Sequence, residues 1–137
     1  MPKMIFVNLP VKDLAASIRF YKAIGCEQNL QFSSDQAAMM AWSETISFML
    51  LTHEYFGTFT SKRIPDAQQT CEVLLALSRD SREEVDSITK AAAAAGGKAD
   101  VRPPQDMGFM YTRAFQDPDG HVFEPVWMDM AAAQATA

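Results

Sequence analysis

The feature that most constrains this chain is a pattern that occurs twice along its 137 residues. Each copy has an apolar strand-like stretch, a helix-capping residue, an amphipathic helical stretch, a glycine and then three further strand-like stretches. The first copy begins at Met4 and the second at Cys71. A chain that repeats one strand, one helix and three strands can fold as two modules of the same topology. We therefore predict an α+β protein made of two βαβββ modules.

Capping residues and glycines set the predicted ends of both helices. Asp13 precedes a helix predicted over residues 14–24, which Gly25 ends. In the second copy, Ser81 and Glu84 form an S-x-x-E capping box, and the glycine pair at 96–97 ends the helix. Each helix has one apolar face and is therefore expected to pack against a sheet.

The other apolar stretches predict strands. In the first module they are residues 4–9, 27–32, 37–42 and 45–53, and in the second they are 71–78, 98–102, 109–115 and 121–128. The Asp-Pro-Asp-Gly segment at 117–120 predicts a hairpin between the last two strands. Pro125 lies within the last strand and has no backbone N–H, so we predict that this strand lies at a sheet edge or is bulged there.

The predicted organisation is a single domain over residues 1–130. Module one occupies 1–53, an aperiodic connection 54–69 and module two 70–130, and an Ala-rich tail at 131–137 is expected to be disordered. Because 48% of the residues are hydrophobic, the chain can form a core without metal or disulfide staples.

Composition excludes several classes of function. A net charge of −5 with scattered basic residues argues against nucleic acid and anionic membranes as partners. Two cysteines with no metal-binding spacing indicate free thiols, and no stretch approaches the ~20 apolar residues that span a bilayer. We expect a cytoplasmic protein.

The chain also resembles a known family. In module two, Ala-Leu-Ser at 76–78, the glycines at 96–97, and Asp-Pro-Asp-Gly-His at 117–121 followed by Glu124 resemble glyoxalase I and the fosfomycin and bleomycin resistance proteins. Module one carries a similar V-x-D-L, F-Y and glycine pattern at 11–25. Over about residues 4–128 the chain thus resembles the glyoxalase, bleomycin-resistance and extradiol-dioxygenase (vicinal oxygen chelate) superfamily. The resemblance implies curled mixed sheets around a shared pocket.

The resemblance also implies four inward positions that usually carry His, Gln or Glu and hold a divalent metal. Here these positions are Phe6, Met49 or a neighbour, Leu74 and Glu124. Only Glu124 offers the oxygen or nitrogen that such ions prefer, so we expect a dismantled metal site and no cofactor. The alternative is a displaced oxygen site formed by Asn8, Glu72 and Glu124, because strand alternation places Asn8 and Glu72 on the faces of the lost ligands.

Glu124 is the best single candidate for a functional residue, because a carboxylate in an apolar strand is costly to bury without a partner. It could act as a general base or polar anchor in the pocket, or it could be a solvent-facing or backbone-bonded glutamate. Under the family fold, the predicted ligand-binding residues are Phe6, Asn8, Trp42, Met49, Glu72, Leu74, Tyr111 and Glu124. Residues 103–108 are expected to form a semi-mobile loop at the mouth, or an ordinary strand connection.

Three functions compete. The first is a protein that binds a small hydrophobic or aromatic molecule without transforming it, which the loss of three metal ligands favours. The second is a divergent lyase, isomerase or dioxygenase-type enzyme that uses Glu124 with Asn8 or Glu72, with or without a displaced metal. The third is lactoylglutathione lyase, against whose mechanism the missing ligands argue. By resemblance we also expect a homodimer, in which Tyr55, Phe56 and Phe59 cover the interface or cap the core of their own chain.

Overall fold

A computed structural model describes residues 2–132 of the chain. The chain divides into two units, Met1–Asp66 and Ala67–Ala137. The division falls inside the predicted connection 54–69. Residues 133–137 of the predicted disordered tail lie outside the described residues.

Unit 1 contains one mixed four-stranded sheet and one long helix. Its elements are β1 (Ile5–Val11), α1 (Leu14–Ala23), β2 (Glu27–Asn29), a 3-10 turn (Leu30–Phe32), β3 (Ala37–Ala41), β4 (Ile46–Thr52) and α2 (His53–Phe56). The strands are ordered β1-β4-β3-β2, with β1 parallel to β4 and the other pairs antiparallel. This is the predicted βαβββ topology.

Local sequence accounts for the ends of α1. The Asp13 carboxylate accepts a hydrogen bond from the Ala16 N–H at 3.1 Å, as predicted for the cap. Gly25 has a φ of +113°, which a residue with a side chain rarely adopts, and it ends the helix as predicted. The helix buries Tyr21 against Phe48 of β4, with ring centroids 5.7 Å apart.

Unit 2 repeats this plan with shorter strands. Its elements are β5 (Leu74–Ser78), α3 (Arg82–Ala94), β6 (Lys98–Ala99), β7 (Gln105–Asp106), β8 (Met110–Thr112), β9 (Phe115–Gln116) and β10 (Val122–Met128). β10 pairs in parallel with β5 and antiparallel with β8 and β9, which pair in turn with β7 and β6. The topology is again βαβββ with two strands broken into short pieces, which confirms the predicted α+β class.

Ser81 and Glu84 cap α3 as predicted, except that the Glu84 carboxylate binds the backbone of Asp80, one residue before Ser81. The Ser81 hydroxyl accepts from the Glu84 N–H at 3.1 Å, and the Glu84 carboxylate accepts from the Asp80 N–H at 2.7 Å. The helix buries Val85 and Ile88.

The prediction for Pro125 is wrong, because β10 lies between β5 and β8/β9 and is not an edge strand. It is not bulged either, since the pairing register is the same on both sides of the proline. Pro125 cannot donate, and its carbonyl accepts from the Arg113 N–H at 3.3 Å. The missing donor leaves a gap in the ladder and divides the strand predicted at 109–115 into β8 and β9.

The hairpin turn before β10 is confirmed and is held by one buried side chain. One Asp117 oxygen accepts hydrogen bonds from the N–H groups of Asp119, Gly120 and His121 at 3.0, 3.0 and 2.9 Å. Gly120 has a φ of +104°, and a Cβ there would lie 2.6 Å from the carbonyl carbon and oxygen of Ala67. The turn therefore packs directly against the beginning of unit 2.

Candidate functional site

The alternation of side chains along β10 places Glu124 on one face of the unit 2 sheet. Phe123 points to the opposite, buried face, where its ring stacks on Phe115 with centroids 5.5 Å apart. Glu124 lies directly opposite Ala76 of β5, and Val122 lies opposite Leu74. The small and apolar neighbours leave room beside the carboxylate.

A cavity of about 310 Å³ occupies this face of unit 2. Its apolar wall is formed by Leu74, Val101, Ala114 and Val122. Its polar groups include Arg102, Gln116 and Glu124, and residues 67–71 close one side. The cavity therefore combines an apolar body with a few polar groups, as small-molecule sites do.

Arg102 and Glu124 form an ion pair within this cavity. The Arg102 Nε and Nη2 atoms both donate to the Glu124 Oε2 atom, at 3.1 and 2.9 Å. The two side chains are 29% and 21% exposed, so the pair is largely shielded from water. The Arg102 Nη1 atom donates to the Pro103 carbonyl at 3.1 Å, which fixes the guanidinium further. Within residues 2–132, the Glu124 Oε1 atom has no hydrogen-bond partner.

Sequence reasoning did not find Arg102. An acidic residue in an apolar strand indicates that some cation or donor lies nearby, but it does not say which one. Strand alternation cannot supply the answer, because Asp100 has a φ of +52° and interrupts the strand that was predicted over 98–102. The direction of the Arg102 side chain is thus set by a local backbone turn.

The segment 67–71 is fastened to the β9–β10 turn by side-chain amides. The Gln68 Nε2 atom donates to the Pro118 carbonyl at 3.1 Å, and the Gln116 Nε2 atom donates to the Gln68 Oε1 atom at 2.9 Å. Together with the close approach of Gly120 to Ala67, these bonds hold one wall of the cavity in place.

The two thiols of the chain differ sharply in environment. Cys71 is exposed at the cavity wall. Cys26 is buried in unit 1, and this burial raises the pKa of its thiol to about 12. Only Cys71 is therefore expected to react with thiol reagents in the folded protein.

The predicted site residues of unit 2 are only partly brought together. Leu74 lines the cavity with Glu124, whereas Glu72 is exposed, precedes β5 and is not part of the lining. Tyr111 lies opposite Trp127, an odd number of residues from Glu124, and therefore on the other face of the sheet. Its hydroxyl donates to Asp86 of α3 at 2.7 Å, so Tyr111 does not line this cavity.

The loop predicted to be semi-mobile is anchored by Arg82. The Arg82 guanidinium donates to both oxygens of Asp106 at 2.8 and 2.9 Å and to the Gly108 carbonyl at 2.9 Å. It also lies over the rings of Tyr111 and Trp127, with its central carbon 5.2 and 5.1 Å from their centroids. The hydrogen bonds from Arg82, followed by that from the Gly108 N–H, lower the pKa of Asp106 to about 2.

The other predicted site residues belong to unit 1. Asn8 lies directly opposite Met49 in the β1–β4 ladder. Phe6, two residues before Asn8, lies on the same face, so these three side chains are neighbours. Phe6 and Asn8 are exposed. The ring of Trp42 lies beside Gly25, the glycine that ends α1. A Cβ atom added at Gly25 would lie 3.7 Å from this ring.

The residues present do not fit the divalent metal that the family implies. Three of the four positions carry phenyl, thioether and isobutyl groups, which offer such an ion no suitable ligand. The fourth, Glu124, has the guanidinium of Arg102 2.9 Å from one of its oxygens, where it would repel a bound cation. Nor do residues 2–132 contain any group of three or more His, Cys, Asp or Glu side chains that could hold a metal ion.

Comparison with known proteins agrees with this topology. The sequence profile of the Glyoxalase/Bleomycin resistance protein/Dioxygenase superfamily matches residues 3–124. The chain belongs to this superfamily. No curated protein gives a significant sequence match to this superfamily member.

Solved structures are similar over nearly the whole chain. A hypothetical protein, SA1046 from S. aureus, is 27% identical with a TM-score of 0.77 over 93% of this chain and 94% of its own. A family enzyme from Burkholderia phytofirmans PsJN is 20% identical with a TM-score of 0.77, over 93% of this chain and 99% of its own. The fosfomycin resistance protein FosX from Listeria monocytogenes is 22% identical with a TM-score of 0.65, over 93% of this chain and 91% of its own. The last two likenesses concern the fold alone.

The helices that the structure describes are too short or too polar for a membrane span. Helix α3, for example, has 13 residues. Among residues 2–132, no helix has the length and apolar character needed to cross a bilayer.

Proposed function

We propose that this superfamily member binds a small molecule with an apolar or aromatic body in the unit 2 cavity, without a metal. The observation that carries the proposal is the pairing of Glu124 with Arg102. The carboxylate at the position where the family binds its metal is used instead to hold a guanidinium in an apolar-walled cavity.

The size and lining of the cavity support a small ligand. A volume of about 310 Å³ is at the low end of the range for small-molecule sites, which suits one aromatic ring with a short substituent. Leu74, Val101 and Val122 supply apolar contact area for such a ring. Arg102 and Glu124 supply the few polar contacts that orient it.

A metal-free isomerase is the second candidate, and one observation favours it. The Glu124 Oε1 atom has no hydrogen-bond partner within the described chain and could accept a proton from a bound substrate. Turnover of the hemithioacetal of methylglyoxal and glutathione by metal-free protein, lost in Glu124→Gln, would favour this enzyme over a binding protein.

The binding proposal can be tested with Cys71 as a native reporter. A ligand in the cavity should slow the modification of Cys71 by a thiol-reactive disulfide, while Cys26 stays unmodified because it is buried with a raised thiol pKa. We expect members of a library of small uncharged aromatic compounds to protect Cys71 in a saturable manner.

Two neighbouring residues offer a matched pair of variants. Leu74 lines the cavity, whereas Val73 does not, and the two residues are 57% and 54% exposed. Leu74→Asn should weaken protection about tenfold because it removes apolar contact area, and Val73→Asn should leave protection unchanged. The proposal fails if no compound protects Cys71, or if Leu74→Asn binds as tightly as wild type.

A further inference from the structure

The electrostatic character of the cavity points to a class of ligand. Resting on the proposed function, we infer that the Arg102–Glu124 pair makes the cavity selective for uncharged molecules that carry both a hydrogen-bond donor and an acceptor. A primary aromatic amide is the simplest example. In this view Arg102, which replaces a metal as the cation beside Glu124, determines specificity.

The pair neutralises its own charge. Two Arg102 nitrogen atoms donate to the single oxygen Oε2 of Glu124, so the positive and negative groups are held in direct contact. Lining residues on the other sides of the cavity, such as Leu74, Val122 and Gln116, carry no charge. A ligand in the cavity therefore meets a dipole, not a net charge.

Both members of the pair keep unused hydrogen-bonding capacity. A guanidinium has five N–H groups, and the bonds to Glu124 and to the Pro103 carbonyl use three of them. Within the described chain, the Glu124 Oε1 atom accepts no hydrogen bond. An amide satisfies both partners, because its carbonyl accepts from the guanidinium while its N–H donates to Oε1.

Charged ligands gain much less. An anion placed beside Arg102 is also close to Glu124, so attraction and repulsion largely cancel while the anion still loses its hydration. The same reasoning applies to a cation placed beside Glu124. An uncharged ligand avoids the cost of desolvating an ion, and its polar groups are still satisfied.

Benzamide, benzoate and benzylamine test this inference, because they present one ring with a neutral, an anionic or a cationic substituent. Their dissociation constants can be measured by protection of Cys71 and checked by ligand-observed NMR. We expect wild type to bind benzamide at least about tenfold more tightly than the two ions. Glu124→Gln should tighten benzoate about tenfold, and Arg102→Met should do the same for benzylamine.

Arg102→Lys provides the control, because it keeps the charge balance and should keep the wild-type order of affinities even if the other variants fold poorly. Wild type that binds either ion as tightly as benzamide would overturn the inference and leave the proposed function standing. Protection of Cys71 by other apolar compounds but not by benzamide would have the same consequence. Absence of protection by any compound would overturn both.

Discussion

At the scale of single residues, the Arg102–Glu124 pair accounts for how a carboxylate can lie in an apolar strand. Each group would be costly to shield from water alone, and each removes most of that cost for the other. The loss of either partner alone should therefore destabilise the folded protein. Replacing both with apolar groups should be tolerated much better.

This leads to a double-mutant cycle. Glu124→Leu leaves the guanidinium of Arg102 unpaired at 29% exposure, and we expect a loss of about 1–2 kcal/mol in the free energy of unfolding. The double variant Arg102→Met/Glu124→Leu should recover most of that loss. Urea unfolding of wild type, Glu124→Leu, Arg102→Met and the double variant gives the coupling energy. A value near zero would show that the pair does not act as a unit.

At the scale of elements, local signals predicted the two long helices and the hairpin turn, because caps and glycines act through neighbouring backbone atoms, whereas the short helix α2 was not predicted. Asp13, Ser81 and the Asp-Pro-Asp-Gly turn all make the expected hydrogen bonds. The position of Pro125 in a central strand could not be predicted locally, because its effect depends on the partner strand. A proline can be accommodated in a central strand where the ladder omits a single bond, and no local pattern reveals that omission.

The contact between Gly120 and residue 67 can be tested with two glycine variants. Both Gly120 and Gly108 have positive φ, but a Cβ at Gly120 would lie 2.6 Å from Ala67, whereas one at Gly108 would meet nothing within 4 Å. Gly108→Ala should cost about 1 kcal/mol from the backbone alone, and Gly120→Ala should cost clearly more, about 3 kcal/mol. Equal losses in the free energy of unfolding would show that the backbone at residues 67–68 can move away from the new Cβ without a loss of stability.

At the scale of the whole molecule, the repeated pattern predicted the α+β class, because periodicity and turn chemistry report on topology, and the resemblance of motifs in both modules indicated the superfamily. The candidate site was predicted less completely. Glu124 and Leu74 do meet in one cavity, but Arg102 and the wall at 67–71 depend on contacts between segments distant in sequence. The sheet face on which Tyr111 lies depends on the strand register, which the sequence alone does not define.

We also propose that the chain forms a homodimer in which the connection between the modules takes part. Phe59 is 66% exposed and packs edge-to-face on Tyr55 with ring centroids 5.0 Å apart, so it presents an apolar surface. Sedimentation at micromolar concentrations should give the mass of two chains, and Phe59→Ser should weaken the dimer. Leu30→Ser, which alters an exposed apolar residue of the 3-10 turn, serves as the control. A wild-type monomer would refute the proposal.

A Glu124 carboxylate that is paired with Arg102 should not also hold a metal ion. The most direct measurement is the metal content of protein purified without chelator and then dialysed against nickel or zinc, determined by mass spectrometry for wild type and Glu124→Gln. We expect far less than one ion per chain in both proteins. One tightly bound ion per wild-type chain, lost in Glu124→Gln, would contradict it.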